Sequence, residues 1–188
     1  MLLNEMRSPE KIGGIPEIFN GLVELCMFVH SKLGSESVMY EIGSYAGESA
    51  EVFAKFFRLV HCVDPWGEAT LSPNAVLIEQ SFDERCYRAG NMIKHRCGSL
   101  DMVTSLIDGS IDFAYIDAGT HSYEICMRDI KVWWPKIRIG GFLSGHDYPC
   151  VPTAVTKFPG VKQAVDESFE GREVRFFPDT SWLVMKES

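Results

Sequence analysis

Five short strand-like runs alternate with segments whose apolar residues recur at helical spacing, and this alternation constrains the fold more than any other feature. The runs are Val38–Ile42, Leu59–Val63, Met92–Cys97, Ile111–Ile116 and Phe142–Ser144. Between them, Gly47–Phe57, 75–90, 100–108 and 122–138 carry apolar groups three and four residues apart, as in Cys126, Ile130 and Trp133. Strands that alternate with helices build a parallel sheet covered on both faces. Right-handed crossovers then bring the strand C-termini to one edge, where ligands bind.

The ends of the chain extend this frame. Residues 15–33 form a helical stripe with Pro16 near its first turn and Gly34 closing it. Residues 1–37 therefore read as an N-terminal helical extension, and 38–188 as the main α/β domain of one globular unit. Pro159–Phe169 reads as a last helix. Val174–Phe177 and Trp182–Met185 flank Pro178-Asp179-Thr180 as a hairpin, which predicts one antiparallel strand finishing the sheet. Residues 149–158 make the longest irregular stretch, a candidate lid or substrate wall. The wide apolar face of the first helix offers a surface for a second copy of the chain.

Composition excludes several partners. A net charge of −8 argues against nucleic acid, whose affinity comes from phosphate neutralisation. No apolar run reaches the ~18 residues of a membrane helix, and the N-terminus lacks a signal-peptide pattern. A cytoplasmic protein is the expectation. The six cysteines form no CxxC pair and lie in apolar segments, as reduced, buried small hydrophobes do.

The first strand ends in YEIGSYAGES, residues 40–49. A dinucleotide turn would read GxGxxG, but Tyr45 occupies the place of its second glycine. Glu41, Gly43 and Gly47 instead form ExGxxxG. A carboxylate there repels a pyrophosphate and suits an ammonium or sulfonium. Asp64 ends the second strand 23 residues after Glu41, where an acid accepts both ribose hydroxyls of a nucleoside. Ser99 follows the third strand, placed either to read a base edge or to cap the next helix. Asp117 and His121 follow the fourth strand, and His146-Asp147 ends the fifth. On neighbouring strands these four converge, as a divalent-ion site or around a general base.

YEIGSYAGES, VDPW, IDAGTHSYE, WWPKIRIGG and GHDY resemble the S-adenosylmethionine-dependent methyltransferases with a Rossmann-like fold. The subgroup is the one that includes the macrocin-type sugar O-methyltransferases; FPGVKQAVDESF and PDTSWLV extend the likeness to residues 38–186. The resemblance implies that Glu41, Gly43, Ser44 and Gly47 cradle the methionine side of the cofactor. Asp64 would hold the ribose and Ser99 would lie near the adenine, with Trp66 and Asp117 also among the cofactor-binding residues. It also implies magnesium at Asp117, His146 and Asp147, and His121 as base with His146 second. His146 stands where the family has a carboxylate, and imidazole is the poorer magnesium ligand. The Asp117–His121 loop is also one residue longer than usual, which displaces the base. The implied function is methylation of a small-molecule or sugar hydroxyl. Two rivals carry distinct signatures: a cofactor-binding protein without transferase activity, and a nicotinamide oxidoreductase, which the missing GxGxxG opposes.

Overall fold

The computed structural model describes residues 19–67, 74–148 and 158–187. The start of the predicted first helix and most of the candidate lid lie outside these residues. The elements run α1 (Asn20–Leu33), β1 (Val38–Ile42), α2 (Glu48–Phe53), β2 (Leu59–Asp64), α3 (Ala75–Ala89), β3 (Met92–Arg96), α4 (Ser99–Thr104) and β4 (Ile111–Ile116). Then follow α5 (Tyr123–Trp133), a 3-10 turn at Trp134–Lys136, β5 (Ile137–Gly145), α6 (Pro159–Ser168), β6 (Arg175–Phe176) and β7 (Trp182–Met185). One seven-stranded sheet has the order β3-β2-β1-β4-β5-β7-β6. Pairs among β1 to β5 are parallel, and β7 runs antiparallel to both β5 and β6. The predicted antiparallel strand is therefore β7, and it sits inside the sheet while β6 takes the edge.

Strand alternation sends successive side chains to opposite faces. Met39, Phe113, Tyr115 and Phe142 point into one core with Leu22, Cys26, Phe53 and Phe82 of the first three helices. Ala114, Ile116, Leu143 and Val184 point into the other with Ile130, Trp133 and Val165. Leu22, Val23, Leu25, Cys26 and Val29 of α1 are all buried within the chain. The apolar face suggested for a second copy is thus used internally. None of the described helices is long and apolar enough to cross a membrane. The five described cysteines are free thiols.

The fifth strand departs from expectation. It begins at Ile137, not Phe142, and runs through Gly140-Gly141. Pro135 and the 3-10 turn end α5 early. A Cβ at Gly141 would lie 2.7 Å from the Asp112 carbonyl oxygen. The glycine there permits close strand approach, where the β4–β5 register shifts. The first predicted helix after β1 is also shorter, ending at Phe53 before turns carry the chain to β2.

Candidate active site

The C-terminal ends of β1, β2, β4 and β5 and the turn entering β7 meet on one edge. All five non-glycine residues with positive φ among the described residues lie there: Tyr45 (45°), Trp66 (41°), His121 (56°), Asp147 (64°) and Thr180 (71°). Left-handed backbone at residues with a Cβ costs energy, and such strain gathers at functional sites.

The turn after β1 is built for close packing. Gly43 has φ +95°, and a Cβ on it would meet the Asp117 carbonyl oxygen at 2.1 Å. Gly47 has φ +83° at the N-cap of α2. Gly43, Ser44 and Gly47 line a pocket of about 290 Å³, closed by Phe19 at the start of α1, by Leu22 of α1 and by Tyr115, Asp117, His146 and Asp179.

Several residues expected at the cofactor are partnered or buried within the protein. Glu41 shares a face with Met39 and is fully buried, so it does not line the pocket. Its Oε1 accepts a hydrogen bond from Ser49 at 2.5 Å, while Oε2 and the Ser44 hydroxyl have no partner. Burial outweighs the Ser49 hydrogen bond and pushes the Glu41 carboxyl up to about 7. Trp66 is 1% exposed; its indole N–H donates to the Tyr45 carbonyl at 2.7 Å and its ring packs on Phe82. It braces the turn from inside and offers no ring face to a ligand. Asp64 accepts from the Tyr45 and Trp66 amides, at 3.0 and 2.9 Å, and thereby ties β2 to the turn. It lies outside the pocket lining, with further lone pairs on both oxygens. The Ser99 hydroxyl does not cap α4; it donates to Asp129 at 2.9 Å and accepts from the Trp133 indole at 2.9 Å.

The β4 and β5 ends do converge. His121 Nδ1 lies 2.8 Å from Asp147 Oδ2 and 3.8 Å from Asp117 Oδ1. Gly119 and His121 both take left-handed backbone in the loop after β4, at φ 74° and 56°. Phe158 packs on that ring, with centroids 4.6 Å apart. His146 Nδ1 stands 3.2 Å from Asp147 Oδ1, and its Nε2 is 3.3 Å from the Thr180 hydroxyl. Of the two histidines, only His146 lines the pocket.

The electrostatics follow from this packing. The hydrogen bond to Asp147 raises the His121 imidazole above its ordinary value, against burial. Burial would lower His146, but the Asp147 hydrogen bond and the nearby Asp117 and Asp179 charges outweigh it and hold the ring at about 9. Burial would raise Asp147, yet bonds from both histidines keep its carboxyl well below the carboxylate range. Asp117 is raised, by burial first, against the attraction of His146 and His121.

Ligand atoms of Asp117, His121 and Asp147 lie within 4.8 Å of one another, a separation that suits a divalent ion. Among the described residues His146 is not part of that converging set. Two carboxylates with one imidazole form a mixed donor set, better matched to manganese, iron or zinc than to magnesium.

Residues 40–148 match the family described as methyltransferase domain, more than half of the chain. The chain belongs to that family. It is an S-adenosylmethionine-dependent methyltransferase by family. No curated protein shows significant sequence similarity to this methyltransferase. Among solved structures, one similar fold is a Corynebacterium glutamicum protein, at TM-score 0.65 and 16% identity, covering 100% of this chain and 88% of that one. Another is the O-methyltransferase TomG from Streptomyces achromogenes, involved in tomaymycin synthesis and solved with the cofactor, at TM-score 0.61, 15% identity and coverage of 97% and 92%. A third is CalS11, a TDP-rhamnose 3'-O-methyltransferase, at TM-score 0.62, 14% identity and coverage of 91% and 81%.

Asp179 and Thr180 were not singled out by sequence reasoning, which read them only as a hairpin turn. The signal was available in topology: a strand paired antiparallel to β5 must enter from the edge where β5 ends.

Proposed function

We propose that this methyltransferase transfers the methyl group to a hydroxyl of a small molecule or sugar, with His121 as general base. The observation that carries the reading is the His121–Asp147 pair at the β4 and β5 ends. Asp147 accepts from Nδ1–H of His121, which leaves Nε2 as the basic nitrogen. Both nitrogens of His146 already face partners, Asp147 and Thr180, so it is the weaker base candidate.

In the reaction, an oxygen lone pair of the acceptor forms the new C–O bond as the C–S bond breaks. Sulfur takes that electron pair and leaves as the neutral thioether of S-adenosylhomocysteine. The acceptor proton passes to His121 Nε2. The sulfonium already activates the methyl carbon, so alignment and proton removal are the protein's main tasks. A divalent ion held by Asp117, His121 and Asp147 would act as a Lewis acid toward the acceptor oxygen, and it would occupy the lone pair that His121 needs as base, so the metal and base roles of His121 are alternatives.

Two similar folds, TomG and CalS11, are O-methyltransferases, and the macrocin-type likeness of the motifs points the same way. An rRNA methylase from Streptococcus thermophilus shares the fold too, at TM-score 0.61, so the sheet alone does not select the acceptor. The charge of −8 supports a small acceptor over a polyanion.

Incubation with labelled cofactor and a panel of sugars and phenols, with and without manganese or magnesium, tests the reading. Labelled product that depends on His121 supports it. Cofactor binding with no S-adenosylhomocysteine formed across the panel would leave a binding protein instead.

A further inference from the structure

We propose that Asp179 binds the cofactor by receiving the α-ammonium of its methionine end. The inference rests on the methyltransferase reading and adds a residue from outside the matched segment, residues 40–148.

Asp179 shares the pocket with Gly43, Ser44 and Gly47, the turn that approaches the cofactor. Its carboxylate is held in one orientation. Oδ1 accepts from the Ser181 amide at 3.1 Å and Oδ2 from the Ser181 hydroxyl at 2.9 Å. That hydroxyl also meets Tyr115 Oη at 2.8 Å, so the turn is anchored to the sheet interior. From the other side α1 presses on it: a Cβ at Gly21 would lie 2.3 Å from the Asp179 nitrogen and 2.7 Å from its Cγ. The carboxylate is therefore fixed before any ligand arrives, and a pre-oriented acceptor loses little entropy on binding.

Elimination among the acids of this edge leads to the same residue. Glu41 is sealed beneath the turn. Asp147 is held by two histidines, Asp64 lies outside the pocket lining, and Asp117, which does line the pocket, faces His121 at 3.8 Å. Glu48 is exposed at the rim, with Arg85 3.6 Å from its carboxylate. Among the described residues Asp179 forms no salt bridge, and the His146 imidazole of the same pocket feels its charge only at longer range. A carboxylate with no cation in direct contact, in a pocket suited to an amino-acid tail, can receive an ammonium through a charge-assisted hydrogen bond.

The test is a binding cycle by calorimetry on the full chain. The probes are S-adenosylhomocysteine, its deaminated analogue and 5'-methylthioadenosine, which lacks the amino-acid tail. The wild type is expected to prefer S-adenosylhomocysteine over the deaminated analogue by about 10- to 100-fold. Asp179→Asn is expected to erase that preference while methylthioadenosine binds unchanged, which also reports an intact fold. Asp179→Ser, another residue suited to turns, replaces it if the asparagine variant does not fold. A preference that survives both substitutions overturns the proposal. Equal loss of all three ligands overturns it as well, since that marks structural damage and no ammonium contact. A wild type that binds none of the probes overturns the methyltransferase reading and this inference with it.

Discussion

His121 Nδ1 and Asp147 Oδ2 stand 2.8 Å apart across the ends of two neighbouring parallel strands. The contact fixes the tautomer and raises the ring above its ordinary value. A base must be neutral to act, so turnover should climb as pH rises through a value above 6.5. Asp147→Asn should move that limb to lower pH and reduce kcat about 10- to 100-fold. His121→Ala should remove the limb and cost about 10²- to 10⁴-fold in kcat. A pH profile of kcat for the three proteins checks this; unchanged turnover in His121→Ala would retire the base assignment.

His146 makes a stability prediction in a different pH window. Its ring is held at about 9, above the unfolded value near 6.5. A cation favoured by the fold contributes stability that is fully present below about 6.5 and is lost as pH rises through about 9. The melting temperature of the wild type should therefore fall between those limits. His146→Asn, which cannot titrate, should show a flatter profile there. Thermal melts in buffers from pH 6 to 10 measure it, and parallel profiles would contradict the pairing with Asp147.

Much of this fold was legible because strand runs and helical stripes have different periods. The convergence of Asp117, His121 and Asp147 followed from β4 and β5 being neighbours. Where the local pattern was ambiguous, reading failed. Gly140-Gly141 looks like a break, yet a strand tolerates glycine where Asp112 approaches closely. Glu41 and Trp66 sit at the right places in the chain, but burial turned both side chains inward. For Glu41 the alternation with Met39 already carried that signal. Asp179 depends on β7 pairing with β5, a contact between residues some forty apart that no local motif encodes. The five left-handed residues of the site are equally invisible, since only glycine advertises positive φ.

Gly43 should tolerate no side chain. Its φ is +95°, and an added Cβ would lie 2.1 Å from the Asp117 carbonyl oxygen. Gly43→Ala must therefore open the β1–β4 edge, at a cost of about 3 kcal/mol or more, and abolish cofactor binding. Gly34→Ala is the control. It has φ +82° and ψ 176°, a region almost confined to glycine, but nothing within 4 Å, so only a backbone penalty of about 1–3 kcal/mol applies. Urea midpoints for the two variants should differ in that order; equal losses would mean that φ alone governs both sites.

Glu41 carries the opposite sign from His146. Its folded value is about 7 against an ordinary 4.5, because burial disfavours the charged form. The folded chain thus binds more protons between those values, and stability falls as pH rises from about 4.5 through 7. The full penalty above that window is about 3 kcal/mol. Glu41→Gln removes the titration, and its amide can donate to the Ser44 hydroxyl, which has no partner. The variant should melt higher than wild type at pH 8 and about equally at pH 5. If the buried carboxylate also attracts the sulfonium, the same variant should bind S-adenosylmethionine more weakly relative to neutral S-adenosylhomocysteine. Melting at the two pH values, with calorimetry on both nucleosides, separates these effects. A variant no more stable at pH 8 would mean that Glu41 keeps its charge in the core without penalty.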